Sequence, residues 1–164
     1  MKKIHIVTSR FNDATWSQNI EFRTKHNLIG CVYGTPLQIT QRIPLNSIVF
    51  VVEMNNSINK IEGIGLIKNF IQVNKKYCVY EIGNYNRYIY GSDYHINRSE
   101  IESYNPELVR ILDHILFKEK TYLKRGSGLT SLPDKLLRHR LCSEIKIEEE
   151  LCQLFRNIYL EKTK

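Results

Sequence analysis

The segment Lys124-Arg125-Gly126-Ser127-Gly128 holds the residues best suited to gripping an anion. Its glycines let backbone N–H groups approach a phosphate closely, and its two cations supply charge. It lacks the strand-then-Gly-Lys-Ser/Thr order of a P-loop, so the spacing points to phosphate contact and not to nucleotide hydrolysis. The segment lies in a wider basic stretch. Between Arg110 and Arg140, eight basic residues (Arg110, Lys118, Lys120, Lys124, Arg125, Lys135, Arg138 and Arg140) stand against Asp113, Glu119 and Asp134, in a chain whose formal charge is +7. A localised basic excess is the footprint of a phosphate-backbone binder. Lys118, Lys120, Lys124, Arg125, Ser127, Arg138 and Arg140 are therefore the candidate nucleic-acid contacts. A solvated basic face without a partner is the plain alternative.

Aromatic side chains form the second group. Six of the ten tyrosines fall between Tyr77 and Tyr94. Tyr88, Tyr90 and Tyr94 share parity, so a straight strand would put them on one face beside Arg87. Aromatic faces interleaved with a guanidinium suit single-stranded nucleic acid; a cross-strand ladder packed under a helix is the competing use. Trp16, the only tryptophan, serves either as a core anchor or as a wall for a base.

Signs of catalysis are sparse. Asp93 and His95 lie two apart on a predicted strand and can form an acid–base couple; an exposed structural pair is the alternative. The chain has no G-x-S-x-G, no Cys–His signature and no nuclease-like carboxylate cluster. Its five histidines show no metal spacing along one helix face. Cys31, Cys78, Cys142 and Cys152 form no C-x-x-C, which predicts free thiols. No metal or cofactor is expected.

These groups need a scaffold. The 164 residues are 42% hydrophobic and 25% charged, ordinary for a globular chain with a proper core. No apolar run approaches the ~20 residues of a membrane span. The apolar run after Lys2-Lys3 stops at Thr8-Ser9-Arg10, too short for a signal peptide, so an intracellular protein is expected. Ile48–Val52 and Ile61–Leu66 flank a polar turn at Asn55, Asn56 and Ser57, which predicts a buried hairpin. Gly63 and Gly65 inside the second run mark a bulge or a close approach by another backbone or a ligand. Lys3–Thr8 predicts a first strand. Asn12 or Asp13 caps a helix whose turns carry Trp16, Ile20 and either Phe22 or Arg23. Tyr77–Ile82 and Tyr88–Tyr94 read as strands. Asn105 and Pro106 open a helix with Leu108, Ile111, Leu112 and Ile115 on its buried face. Ser131–Pro133 starts a short helix, and Ser143 to about Lys162 predicts an amphipathic one. With no repeat or linker, residues 1–164 are expected to form one domain, helical from about residue 105.

The order of the early pieces resembles the YTH and EVE branch of the PUA-like superfamily. Ile4-His5-Ile6-Val7-Thr8-Ser9 is a strand ending in serine. A capped helix (Asn12–Asn27), a short strand (Gly30-Cys31-Val32-Tyr33) and the glycine-containing hairpin (Ile48–Leu66) follow. The resemblance implies a curved, partly closed sheet flanked by helices, with a pocket that takes one unstacked, often modified, base between aromatic rings. YTH readers place a cage tryptophan where Gly30 stands here, so methyladenosine recognition is not carried over. Trp16, Tyr33 and Phe11 are the substitute walls, with Asn55, Tyr88 and Tyr90 as further pocket candidates. Gly63-Ile64-Gly65-Leu66-Ile67 and Lys124-Arg125-Gly126-Ser127-Gly128 also resemble an uncharacterised family of large DNA viruses, which would place the protein in a host cell or virion.

The expectation is an α/β (α+β), PUA-like domain acting as a non-catalytic nucleic-acid-binding module, for RNA or DNA. The alternatives are an enzyme on the same scaffold, acting on nucleic acid or nucleotide through Asp93 and His95, and a viral structural or protein-interaction role using the C-terminal helix.

Overall fold

The predicted hairpin forms the middle of the sheet. The computed structural model describes residues 3–73, 77–119 and 123–162. In chain order they form β1 (His5–Phe11), α1 (Asp13–Lys25), β2 (Cys31–Thr35), β3 (Ile48–Asn55), β4 (Lys60–Lys68), β5 (Tyr88–Ser92), β6 (Tyr94–Asn97), α2 (Arg98–Tyr104), α3 (Pro106–Phe117), β7 (Thr130–Ser131), α4 (Asp134–Leu137) and α5 (Ile147–Lys162). Five strands make one mixed sheet, ordered β6-β4-β3-β1-β7, and β2 pairs with β5 in a separate ribbon. Only β1 and β3 run parallel; the other pairs are antiparallel. The α+β class is the expected one. The sheet stays open, and the ribbon packs beside it without closing it.

β3 is apolar almost throughout because both of its faces are covered, as in central strands generally. Phe50, Val52 and Met54 meet Leu108, Ile111, Leu112 and Ile115 of α3 and Leu151, Leu154 and Phe155 of α5. Val49 and Val51 face a second core made by Phe22, Val32, Tyr33, Ile89 and Tyr90. The α3 stripe and its Asn105 cap match the sequence: Asn105 Oδ1 accepts the Leu108 N–H at 3.2 Å. Most of the α5 stripe is buried in the chain's own core, with Phe155 against Phe50 at 5.4 Å.

Two elements differ from expectation for identifiable reasons. In α1 the buried residues are Asn19 and Phe22, while Ile20 is 41% exposed. Asn19 Nδ2 donates to Val32 O at 2.8 Å and to the Tyr80 hydroxyl at 3.0 Å, so a polar anchor takes the place of an apolar stripe. Residues 77–82 form no strand. The Asn86 side chain accepts the N–H groups of Val79 and Tyr80, both at 2.9 Å, and donates to Tyr80 O at 2.7 Å. Side-chain bonds of this kind replace a ladder.

The glycines of β4 answer to a close approach. A Cβ on Gly63 would lie 2.9 Å from Glu53 Oε1 and 3.0 Å from His95 Nε2. A Cβ on Gly65 would overlap the Tyr33 hydroxyl and crowd Cys31 Sγ. The Gly65→Ala variant should therefore lose about 1–3 kcal/mol of stability through overpacking, read as a lower urea midpoint at unchanged slope.

Candidate nucleic-acid interface

β1 ends in Ser9-Arg10-Phe11, and a cavity of about 230 Å³ opens at that end. Ser9 and Phe11 line it together with the start of α1, the end of β2, the Tyr80 and Tyr85 rings and the loop 124–129. Its aromatic wall is graded. The Phe11 and Tyr80 ring centroids are 6.5 Å apart, and Tyr80 meets Tyr85 edge-on at 6.4 Å. Burial pushes the Tyr80 hydroxyl well up from its ordinary pKa, although its Asn19 hydrogen bond opposes this.

Two of the residues lining this cavity each carry a polar atom without a partner. Ser9 Oγ and Asn56 Oδ1 are buried and accept or donate nothing among the described residues. Native structures rarely leave such groups unmet, so each calls for an explanation.

The glycine-rich basic loop folds over the same end of the sheet. Pairing of Thr130 and Ser131 with Thr8 and Val7 brings it there. Arg10 then holds it from below: Nε donates to Gly126 O at 3.1 Å, Nη1 to Leu123 O at 3.2 Å, and Nη2 to Gly128 O at 3.0 Å and Thr130 Oγ1 at 2.7 Å. Burial lowers the pKa of this guanidinium. Gly126 and Gly128 take φ of +98° and +82°, values that favour glycine. Asn56 Nδ2 donates to Lys124 O at 3.0 Å, and Lys124 Nζ donates to Asn59 Oδ1 at 2.6 Å.

Of the residues singled out from the sequence, Lys124, Ser127, Tyr33 and Phe11 line the cavity. Trp16 stands one ring behind, edge-on to Phe11 at 5.0 Å, with the Arg23 guanidinium 5.5 Å from its ring centre. Asn55 is buried and shapes the hairpin turn by accepting the Ser57 N–H at 3.0 Å; its neighbour Asn56 is the one at the cavity. Arg125, Arg138, Arg140 and Lys118 are exposed and do not line it. Lys120 lies outside the described residues. Arg110 pairs with Glu107.

The tyrosine platform and the Asp93–His95 couple are not assembled. Asp93 sits between β5 and β6, which belong to different sheets, so the assumed straight strand is broken there. Tyr90 is buried, its hydroxyl accepting the Ile39 N–H at 3.0 Å. Tyr88 is half-buried under Arg87, 5.3 Å from its ring centre, and Tyr94 belongs to the other sheet. Asp93 is exposed. His95 instead meets Glu53, with Nε2 at 3.0 and 3.1 Å from the two carboxylate oxygens. The Tyr33 hydroxyl donates to Glu53 Oε2 at 2.7 Å. Burial by itself would raise the Glu53 pKa; attraction to His95 and the His95 and Tyr33 hydrogen bonds outweigh it, and the net shift is downward. Neither His95 nor Glu53 lines the cavity.

Two histidines that are distant in sequence do meet. His139 Nε2 is 2.6 Å and His114 Nε2 3.2 Å from Glu119 Oε1. The three groups are close enough to hold a metal ion. However, His139 Nδ1 accepts the Leu141 N–H at 3.1 Å, so in the neutral ring Nε2 carries the proton and points it at Glu119. That arrangement suits a hydrogen-bonded pair better than a metal ligand, whose second nitrogen normally donates. The hydrogen bond from His139 is the main reason the Glu119 pKa is lowered.

Arg10, Ser9 and Asn56 carry more of the site than the sequence alone indicated. The signal for them was a strand that ends in Ser-Arg-Phe beside the turn of a hairpin. Comparison of the chain with protein-family models, curated proteins and solved structures finds no match.

Arg10→Met should free the loop without unfolding the sheet. Trypsin should then cut after Lys124 or Arg125 several-fold faster, with little change in the far-ultraviolet circular dichroism. The lowered Glu53 pKa gives stability that is complete above the ordinary 4.5 and lost as pH falls through the folded value. Melting temperature should fall as pH drops below the ordinary carboxylate range, and Glu53→Gln, less stable at neutral pH, should show a flatter decline there.

Proposed function

We propose that the protein is a nucleic-acid-binding module that takes one unstacked base into the cavity at the end of β1. The observation that carries this is the pair of buried, unpartnered polar atoms, Ser9 Oγ and Asn56 Oδ1, set beside aromatic rings. A base offers what both lack: flat faces for Phe11, Tyr80 and Tyr85, and edge groups for hydrogen bonds. Asn56 Oδ1 takes a donor, so a ring or exocyclic N–H is its complement. The loop holding Lys124 and Arg125 stands at the cavity, where the phosphates flanking a flipped nucleotide would lie.

The cavity lies on the strand-to-helix stretch that underlies the YTH/EVE resemblance, and a PUA-like fold is part of the same proposal. So is an intracellular setting, in a host cell or virion. No helix among the described residues is long and apolar enough to cross a membrane. Catalysis by His95 is disfavoured, because its ring is committed to Glu53 away from the cavity.

Fluorescence anisotropy with labelled single-stranded and duplex RNA and DNA, taken as a salt series, tests the proposal. Single strands should bind more tightly, with affinity falling steeply with salt. Lys124→Glu and Arg125→Glu should each weaken binding and reduce the salt slope by about one. Tyr85→Ala should cost about 1–3 kcal/mol of affinity while keeping the salt slope. Trp16 emission should change on binding, since Trp16 backs Phe11. Equal affinity at about 50 and 300 mM salt, or indifference to Tyr85→Ala, would sink the proposal.

A further inference from the structure

The face of the sheet that packs on α5 is wider than its helical cover. Phe155 seats its ring on Phe50 and stacks on Tyr159 at 5.9 Å. Past these rings, Ile4, Ile48 and Leu66 are only partly covered or exposed. A groove of about 940 Å³ runs there, between the strand ends, the 44–47 loop and α5. It lies where β1 and β3 begin, at the opposite end of β1 from the aromatic cavity. Scattered exposed apolar residues are ordinary; a continuous apolar trough is not.

The rim of the groove is basic. Lys3, His5, Lys68 and Arg156 line it, and no carboxylate does. Lys68 stands opposite Ile48 in the β3–β4 register, so charge and apolar floor meet at one mouth. Lys3, Lys68 and Arg156 have no hydrogen-bond or ion-pair partner among the described residues. A second copy docking face to face would set these cations against their own counterparts, which charge repulsion opposes. The occupant must instead be apolar along its length and anionic at one end. The volume lies at the upper end of the ~300–1,000 Å³ typical of small-ligand sites.

We propose that this groove binds a free medium-chain fatty acid, its chain along Phe50, Leu66 and Phe155 and its carboxylate met by the cations of the rim. The proposal is independent of nucleic-acid binding at the far end of the sheet.

Isothermal titration of the full chain with decanoate, dodecanoate and dodecanol, all below micelle-forming concentration, tests it. Dodecanoate should bind one to one and saturably. It should bind on the order of tenfold more tightly than decanoate, for two more buried methylenes. Dodecanol, lacking the charge, should bind at least about tenfold more weakly. Lys68→Glu and Arg156→Glu change exposed side chains that leave the core intact, and each should weaken dodecanoate by a similar factor. Leu45→Asp, at another exposed position, should weaken the acid and the alcohol alike. Absence of saturable dodecanoate binding, equal affinity for acid and alcohol, full affinity in both charge variants, or binding to anionic vesicles but not to the free acid would overturn the proposal.

Discussion

The structure turns on one buried carboxylate. Glu53 sits in β3, the middle strand of the main sheet, and its side chain is 1% exposed. A charge in that position is tolerable only if donors surround it. Tyr33 supplies one from the β2–β5 ribbon, and His95 meets it from β6. The ribbon shares no backbone ladder with the sheet, so this polar knot is a specific tie between them. It also explains the composition of β4: with Tyr33 and His95 crossing over that strand, Gly63 and Gly65 leave room that any side chain would take. His95 is further held by α5, since its backbone exchanges hydrogen bonds with the Tyr159 hydroxyl at 2.6 and 3.0 Å.

Local rules recovered the elements whose signal is local. The β3–β4 hairpin follows from two apolar runs and a polar turn, and α3 from Asn105, Pro106 and a clean i, i+3, i+4, i+7 stripe. The glycines of β4 announced a close approach by backbone or ligand; backbone does approach Gly63, at Ile96 O, but at Gly65 the approaching groups are the Tyr33 and Cys31 side chains. Where the determinant was a side chain bonding to distant backbone, periodicity gave no hint. Asn19 and Asn86 are of that kind: one makes a polar contact the buried face of a helix, the other folds what looked like a strand.

The candidate site was half legible for the same reason. Lys124 and Ser127 stood out because glycine and charge are visible in one short window. What makes the loop part of a site is Arg10, more than a hundred positions away. Tyr94 misled because parity holds only within a continuous strand, and the chain leaves one sheet for another at Asp93; Tyr90 does share β5 with Tyr88, but it is buried in the core. Asn55 misled by a single position: it closes the turn, and so leaves Asn56 at the cavity.

The main sheet ends on its shortest strands. β6 has four residues and runs directly into α2, whose cap is its last residue, Asn97; β7 has two, with Pro133 soon after. The strongly apolar strands β3 and β4 are paired on both sides. An incoming strand from another molecule thus finds little ladder to extend at the short end strands of the main sheet, and β3 and β4, the segments most prone to cross-β stacking, are inside it. The isoleucine- and valine-rich centre of the main sheet is thereby kept from serving as a template for fibre growth.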